Sequence, residues 1–476
     1  MTRCGTASIL LLTIVAWSPK AVANAPLSVQ AFGARCDAVE GPNGATGSDD
    51  FPAFQAAVAT AKARGGGTIR VTAAASGSTG KCLWKLQGSQ NPTLRLPSNT
   101  TLALDPGIRI LVEGQPNGVN GYATGAVVND DQTNGNTNVS VIGGAFKAAG
   151  PRHGSVFVAF KRVAGGTIKS RFLDNNASAR VQVAHSSRIE IDIEVAYESG
   201  PWKKVVHPIQ RGNPWGFEDG VRIGSGSHAI TVRGNISSGD DAIALSNEPS
   251  ETAGAKAGAD IHNIRIGPVK ATTRAGNALR MYQEASMTAG QTYDVVVNDL
   301  VATPYSRGKG ATGISIADYS KRRAIRNIAL DNIWIDAAGI SGENSAGLSL
   351  INTSTVSISR TTILNAPIFG LALSDAPHTT ITSVDIRGTP RSVDGLIATP
   401  YLNAGGSHNS SIDHSRIVGF GGRRIRLVRT TNFAIGQAMS SEQPRRPPRT
   451  ESVAEQEWLP PSSRPRAPRS SHRNSY

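Results

Sequence analysis

The chain has 476 residues, enough for one large domain or for two or three average ones. Its 51 glycines and its low aromatic content of 5% favour many short strands and turns over long helices. The formal net charge is +14, but no nucleic-acid motif and no basic stripe studded with aromatic residues occurs. The charge pattern therefore argues against a nucleic-acid partner and is compatible with an acidic polysaccharide.

Residues 1–25 have the pattern of a secretory signal peptide. A basic start at Arg3 precedes an apolar run over residues 9–17, and small residues follow at positions 21–25. The run is too short to span a bilayer, and no later segment is long and apolar enough. We predict a secreted or periplasmic monomer with no membrane span.

Two cysteines remain after the signal is removed, Cys36 and Cys82. In an exported chain they are candidates for a disulfide, with two free buried thiols as the alternative. They have no nearby pair of histidines, so we expect no metal site there.

A short α/β segment follows the signal. The pattern predicts a strand at residues 27–32, a helix at 51–64 and a strand at 68–71. Asp49 or Asp50 is placed to cap the helix. The first coil of a solenoid exposes unpaired backbone groups, so we expect this helix to cover that open end.

From about residue 94 the chain repeats short alternating apolar runs. The equivalent residues Ile328, Ile358, Ile381 and Ile412 are separated by 30, 23 and 31 residues. A variable period of this size, with several short strands per repeat, indicates a solenoid. We predict an all-β, right-handed parallel β-helix. A β-sandwich, the alternative, would show hairpin turns between paired strands, and few are placed that way. The second strand of successive repeats is predicted at residues 241–245, 278–282, 313–317, 347–351 and 370–374.

The end of the chain differs from the body. Residues 421–476 contain eleven Arg and four Glu, which accounts for half of the net charge. We predict a β-helix domain over residues 26–420 and a disordered basic tail over 421–476. Attachment to anionic envelope material and no role at all remain open for this tail.

The residues with most chemical potential lie between Trp215 and Leu245. Asp219 precedes one short strand, and Asp240-Asp241 precede another 21 residues later, close to one short coil. Stacked coils would bring the three carboxylates together, which raises the pKa of at least one of them. One protonated and one ionised carboxyl is what glycoside cleavage needs. Asp240 and Asp241 can both face a cleft only if the chain bends, which Gly239 permits. A ladder of capping carboxylates is the alternative.

The segment resembles glycoside hydrolase family 28, the polygalacturonases and their relatives. In that family an Asn-Thr-Asp-Gly block precedes a Gly-Asp-Asp block by this spacing, and residues 29–34 and 49–55 are also similar to its opening segment. The likeness covers residues 27–420. It implies hydrolysis with inversion and without a metal or cofactor. It also implies that Asp240 is the general acid and that Asp219 and Asp241 hold and deprotonate the attacking water.

The chain departs from the family at several positions. Phe217 and Glu218 replace the Asn and Thr, and the Gly-His-Gly block is absent. Residues 276–282 can be aligned to the family's Arg-Ile-Lys block, which makes Arg280 the binder of a substrate carboxylate and places Tyr282 where Lys belongs. They can also be aligned to the His block, which puts Asn277 in place of His.

Other polar residues have both a functional and a plain interpretation. Glu248 could contact a sugar hydroxyl or be a solvated loop carboxylate, and His262 could be catalytic or a turn histidine. The remaining candidates are a groove or solvated loop at Lys203, Lys204 and His207, and a cleft edge or turn at Asp130-Asp131.

We predict a secreted glycoside hydrolase acting on an acidic or pectin-like polysaccharide. A polysaccharide lyase or epimerase, with Arg280 as the base and the carboxylates binding calcium, is one alternative. A non-catalytic surface protein that binds carbohydrate is another.

Overall fold

A computed structural model of the chain describes residues 25–41, 44–73, 77–86, 93–114, 125–149, 156–173, 179–196, 219–248, 258–399 and 406–436. Within these ranges the protein is a right-handed parallel β-helix with one α-helix near its start, which confirms the predicted fold. Most of the predicted signal peptide and residues 437–476 of the predicted tail lie outside the described ranges. In the part that is described, no helix has the length and apolar character needed to cross a membrane.

The elements, in chain order, are β1 (Leu27–Ser28), a 3₁₀ helix (Val29–Phe32), β2 (Val39–Gly41), β3 (Gly44–Thr46), α1 (Phe51–Ala63), β4 (Gly67–Val71), β5 (Lys81–Lys85), β6 (Leu94–Leu96), β7 (Thr100–Glu113), β8 (Gly125–Asn129), β9 (Asn136–Thr137), β10 (Val139–Ala148), β11 (Val156–Lys161), β12 (Val163–Leu173), β13 (Ala179–Ala184), β14 (Ser187–Ala196), β15 (Asp219–Gly224), β16 (His228–Ser238), β17 (Ile243–Asn247), β18 (Ile261–Thr273), β19 (Leu279–Gln283), β20 (Thr292–Thr303), β21 (Tyr305–Arg307), β22 (Thr312–Asp318), β23 (Ile325–Asp336), β24 (Gly339–Ser341), β25 (Ala346–Ile351), β26 (Thr353–Ser359), β27 (Thr362–Ala366), β28 (Phe369–Ser374), β29 (Thr379–Thr382), β30 (Asp385–Gly388), β31 (Asp394–Thr399), β32 (Ser410–Asp413), β33 (Arg416–Val418), β34 (Ile425–Leu427) and β35 (Phe433–Ile435).

Apart from β2 and β3, which form an antiparallel pair, the described strands pair in parallel with strands of neighbouring coils. The short strands form a twelve-stranded sheet, the site sheet, and the longer strands belong to a nineteen-stranded sheet that makes up the rest of the wall. The strands of the site sheet are β6, β8, β11, β13, β15, β17, β19, β22, β25, β28, β31 and β34. This regular stacking fixes which residues of successive coils lie side by side.

The core is a set of apolar rows that run along the solenoid. Val221 is in register with Ile243, which is in register with Leu279 and then Ile314, and all four side chains are fully buried. Side chains alternate between the two faces of a strand, so every second residue adds to such a row and the next points outward. The outward residues of the site sheet are therefore available for chemistry.

The predicted helix at residues 51–64 forms as α1 and is one residue shorter than expected. Its apolar face is buried, and the ring of Phe54 packs on that of Trp84 with centroids 4.9 Å apart. Asp49 Oδ1 accepts the N–H of Phe51 at 3.1 Å. Asp50 instead accepts N–H groups of Arg35 and Leu83 and so joins the helix start to β5.

The strand predicted at residues 27–32 is wrong in its second half. Only Leu27–Ser28 are extended, and Val29–Phe32 form a 3₁₀ helix. Gly33 adopts φ +100° and returns its N–H to the carbonyl oxygen of Gln30, a left-handed ending that glycine accepts most readily.

A disulfide joins Cys36 and Cys82, the candidate pair, across 46 residues of sequence. Both cysteines are buried. We expect the Cys36→Ala/Cys82→Ala variant to lose about 2–4 kcal/mol of unfolding free energy, because the bridge constrains the unfolded chain. Urea denaturation measures this loss. Unfolding curves that coincide for the variant and the oxidised wild-type protein would contradict it.

The β-helix continues beyond the predicted boundary at residue 420. β34 pairs with β31 and β35 pairs with β32, which adds part of another coil. Ile425, Leu427 and Phe433 are partly buried against the core. Arginines interrupt this short apolar pattern, so the sequence alone did not predict these strands. One of the arginines, Arg426, forms an ion pair with Asp394 at 3.6 Å.

Candidate active site

Three aspartates converge at the start of two neighbouring strands of the site sheet. Asp219 is the first residue of β15, while Asp240 and Asp241 lie in the bend between β16 and β17. The Gly220 N–H donates to the Asp241 carbonyl oxygen at 3.0 Å, so Asp219 and Asp241 occupy equivalent positions on successive coils. One carboxylate oxygen from each of the three residues lies within 4.8 Å of the others.

The bend that presents Asp240 and Asp241 is held by close backbone packing. Ser238 Oγ donates to the Asp240 carbonyl oxygen at 2.8 Å. From the next coil, Gly276 approaches so closely that a Cβ there would lie 2.4 Å from the Asp240 carbonyl carbon and 2.6 Å from the Asp241 nitrogen. The bend therefore requires glycine at position 276.

Asp219 is paired with an arginine of its own strand. Arg222 Nε donates to Asp219 Oδ2 at 2.8 Å, and Arg222 Nη2 contacts the same oxygen. The Asp219 residue is only 1% exposed. Burial raises its pKa to about 6, with Arg222 opposing the shift and Asp241 adding to it.

Asp241 is held by donors from the next coil. Its Oδ1 accepts the backbone N–H of Asn277 at 2.7 Å and the side-chain amide of Asn277 at 2.8 Å. Arg280 Nη1 approaches Oδ2 at 3.4 Å. Thr312 Oγ1 donates to Asn277 Oδ1 at 2.6 Å and so fixes the orientation of the amide. Asn277, a predicted substrate-binding residue, thus uses its amide to hold Asp241.

Asp240 differs from both of its neighbours. Within the described part of the chain, no hydrogen bond or ion pair reaches its carboxyl group. Burial raises its pKa well above the ordinary value, and the charges of Asp241 and Asp219 add to this effect. Asp240 therefore keeps its proton to a higher pH than an ordinary carboxyl group does.

Arg280 and Tyr282 extend the site along the next strand, β19. The guanidinium carbon of Arg280 lies 4.4 Å from the centroid of the Tyr282 ring, and the Arg280 side chain is 36% exposed. Burial lowers the pKa of Arg280, because it disfavours the charged form. The negative charges of Asp241 and Asp240, and more weakly that of Glu248, raise the pKa above its ordinary value. The Tyr319 ring lies 5.6 Å from that of Tyr282. This surface combines an accessible cation with aromatic rings.

The carboxylates are close enough together to surround a cation by distance alone. However, Arg222 and Arg280 already supply positive charge to the cluster. The donor set therefore gives no reason to assign a metal.

Other predicted candidates lie elsewhere or outside the described ranges. His262, on β18 of the nineteen-stranded sheet, is stacked between His228 and Tyr293, with ring centroids at 4.9 and 5.1 Å. Lys203, Lys204, His207, Phe217 and Glu218 lie outside the described residues.

Asp130 and Asp131 form a turn at the end of β8. Asp130 makes an ion pair with Lys62 at 2.9 Å, and Asp131 accepts the N–H groups of Thr133 and Asn134. Their contacts thus match the turn interpretation.

Sequence reasoning missed Arg222, Gly276, Thr312 and Tyr319. Arg222 is three residues after Asp219, and residues an odd number apart on a regular strand point to opposite faces. The pair meets because Asp219 lies at the very start of β15, where the chain enters the strand.

A scan of protein-family models and a search of curated proteins find no match to this chain. Solved structures match its fold. The surface adhesin PfbA of Streptococcus pneumoniae is 13% identical, with a TM-score of 0.52 over 88% of this chain and 94% of that one. The Yersinia enterocolitica family 28 exopolygalacturonase is 12% identical, with a TM-score of 0.48 over 88% and 79%.

A third similar structure is the A-module of the Azotobacter vinelandii mannuronan C-5 epimerase AlgE4. It is 15% identical, with a TM-score of 0.44, and the match covers 87% of this chain and all of that one. The shared fold is the right-handed parallel β-helix. Identities this low establish the fold alone.

Proposed function

We propose that the protein is a glycoside hydrolase that cleaves an acidic polysaccharide, with Asp240 as the general acid. The observation that supports this most is the unequal distribution of counter-charge. Asp219 is paired with Arg222, and Asp241 with Arg280, whereas no described cation contacts Asp240. Two cations balance two carboxylates, and the third acid keeps its proton, which gives the acid and base that glycoside cleavage requires.

In the proposed reaction, Asp240 gives its proton to the glycosidic oxygen as the bond from that oxygen to the anomeric carbon breaks. A water molecule adds its oxygen to the anomeric carbon and loses a proton to Asp219 or Asp241. Loss of that proton to solvent and reprotonation of Asp240 restore the enzyme. The charge on both basic carboxylates is maintained by the neighbouring guanidinium groups.

The stereochemistry separates two versions of this reaction. The resemblance to family 28 implies inversion. However, one oxygen of each carboxylate lies within 4.8 Å of the others, closer than the roughly 6.5–9.5 Å between carboxyl groups that is usual for inverting enzymes. The alternative is direct attack by a carboxylate, which gives retention. Proton NMR of the first product anomer distinguishes them.

We propose that Arg280 binds a carboxylate of the sugar chain, and that Tyr282 supports the guanidinium. An Arg280→Gln variant is expected to raise KM for an acidic substrate by about 10-fold or more, because a hydrogen bond to a charged group contributes about 1.5–3 kcal/mol. Initial-rate kinetics measure this. Arg265→Gln, at an exposed position of the nineteen-stranded sheet, is the control. An unchanged KM in Arg280→Gln would contradict the assignment.

The pH dependence follows from the two raised pKa values. The active form has Asp219 ionised and Asp240 protonated. Because the pKa of Asp219 is about 6, kcat/KM should rise as pH increases through that value and fall when Asp240 loses its proton. A rate profile on the purified protein measures both limbs. An acidic limb near the ordinary carboxyl pKa would contradict the role of Asp219.

The defining experiment incubates the protein with polygalacturonate and a panel of acidic bacterial and plant polysaccharides. New reducing ends and the ultraviolet absorbance of unsaturated products are followed together. Reducing ends without absorbance support a hydrolase. Absorbance would overturn the proposal in favour of a lyase, although the cluster holds Arg280 as a cation and so opposes its use as a base. Binding without turnover would favour a non-catalytic surface protein.

We also propose that the protein acts outside the cytoplasm as a monomer. The Cys36–Cys82 disulfide supports this location, because such bridges persist in oxidising compartments. Size-exclusion chromatography with light scattering tests the oligomeric state.

A further inference from the structure

We propose that Arg222 is a positioning residue that keeps Asp219 ionised and directs one of its two oxygens away from the reacting water. The inference rests on the proposed function, in which Asp219 acts as a carboxylate. It concerns a residue that takes no part in bond making or breaking and acts only through Asp219.

The geometry of the pair is one-sided. Both Nε and Nη2 of Arg222 contact Oδ2 of Asp219, and no hydrogen bond from these atoms to Oδ1 is found among the described residues. A guanidinium that binds both oxygens of a carboxylate would occupy the whole group. Here Arg222 occupies Oδ2, and Oδ1 can bind a ligand other than Arg222.

The neighbouring coils confine Arg222. It is in register with Gln182 on β13 and with Ala244 on β17, and its side chain is only 11% exposed. A buried guanidinium between two paired strands has little freedom to leave its carboxylate. The contact is therefore part of the built site and not a mobile surface ion pair.

Among the described residues, Arg222 is the cation that forms an ion pair with Asp219. Other described charged groups that act on Asp219 are Asp240 and Asp241 from the bend and Arg280 from β19. Arg280 lies in the same register row as Arg222 but two coils along, with Ala244 between them, a separation of about 9.6 Å between strands. On the other side, Arg180 of β13 is next to the register partner of Asp219 and is fully buried.

Removal of Arg222 should therefore change the titration of Asp219. In Arg222→Met, three carboxylates would share the charge of Arg280, and the acidic limb of kcat/KM should move to higher pH by about one to three pH units. Arg222→Lys, which keeps the charge, should move it less. Arg233→Met, an exposed arginine on β16, is the matched control and should leave the limb unchanged.

A measurement without substrate separates this inference from the proposed function. Carboxyl ¹³C NMR of the full chain, with Asp219 assigned from an Asp219→Asn variant, follows its titration directly. We expect the pKa of Asp219 to be lowest in the wild type, higher in Arg222→Lys and highest in Arg222→Met. If wild type cleaves nothing, this titration still decides the role of Arg222. Equal pKa values in the wild type and both variants would overturn it.

Stability provides a second readout. The folded pKa of Asp219 is above its unfolded value, so its favourable contribution exists at low pH and is lost as pH rises through the folded pKa. With a still higher folded pKa, Arg222→Met should lose more stability than wild type between pH 5 and pH 7. A purely structural role would lower stability equally at both pH values, which would also contradict the inference.

Discussion

Replacement of Asp240 by Asn is expected to lower kcat by about 10²–10⁴-fold, the range contributed by a general acid. The amide has nearly the same size but cannot give up a proton to the leaving oxygen. Because the carboxyl of Asp240 makes no ion pair within the described residues, the fold should not depend on it. The amide also stays neutral at high pH, where an ionised carboxyl of Asp240 would be repelled by Asp241 and Asp219.

The kcat of Asp240→Asn is measured by the release of reducing ends at the optimum pH, with thermal unfolding recorded alongside. Asp260→Asn, an exposed aspartate outside the cluster, is the control and should keep full activity. A cleaving Asp240→Asn protein with wild-type kcat would mean that another group supplies the proton. Reduced activity accompanied by unfolding would instead point to a structural role.

Gly276→Ala should lower both the stability of the protein and its turnover. The new Cβ would lie 2.4 Å from the Asp240 carbonyl carbon and 2.6 Å from the Asp241 nitrogen, so backbone must move on one of the two coils. We expect a loss of about 1–3 kcal/mol of unfolding free energy, as for overpacked cores. Turnover should fall as well, because the displaced bend is the one that presents both aspartates.

Urea denaturation and the rate of reducing-end release measure the two effects of Gly276→Ala. Gly421→Ala is the control, because its nearest neighbour would be an oxygen at 3.5 Å, an ordinary contact. Wild-type stability and turnover in Gly276→Ala would show that the bend can shift without cost. Such a result would also weaken the link between its geometry and the proposed chemistry.

The solenoid could be predicted because its signal is repeated many times. Each coil contributes the same alternation of apolar and polar residues, and the strands predicted at residues 313–317 and 370–374 lie within β22 and β28. Local exceptions could not be predicted in this way. The 3₁₀ helix at Val29–Phe32 has an apolar pattern that also suits a strand, and its ending depends on the conformation of Gly33.

The candidate site could be predicted only in part. The spacing of 21 residues brought Asp219 and the Asp240-Asp241 pair together, but the register makes Asp241 the equivalent of Asp219. The partners of these aspartates depend on contacts between coils. The hydrogen bond from Thr312 to Asn277 joins residues 35 positions apart, and no local sequence pattern predicts it.

The equivalence of positions on successive coils has a consequence for how such a site can change. Asp219, Asp241, Asn277 and Thr312 follow one another along a single register row of the site sheet. After deletion of one whole coil, the strands on either side of the deletion could pair with each other in the same way. A different residue would then lie beside the aspartates. Loss of the coil that contains β19, for example, would place Thr312 where Asn277 now lies. Whole-coil insertion and deletion therefore offer evolution a way to exchange a complete set of substrate contacts while retaining the acid.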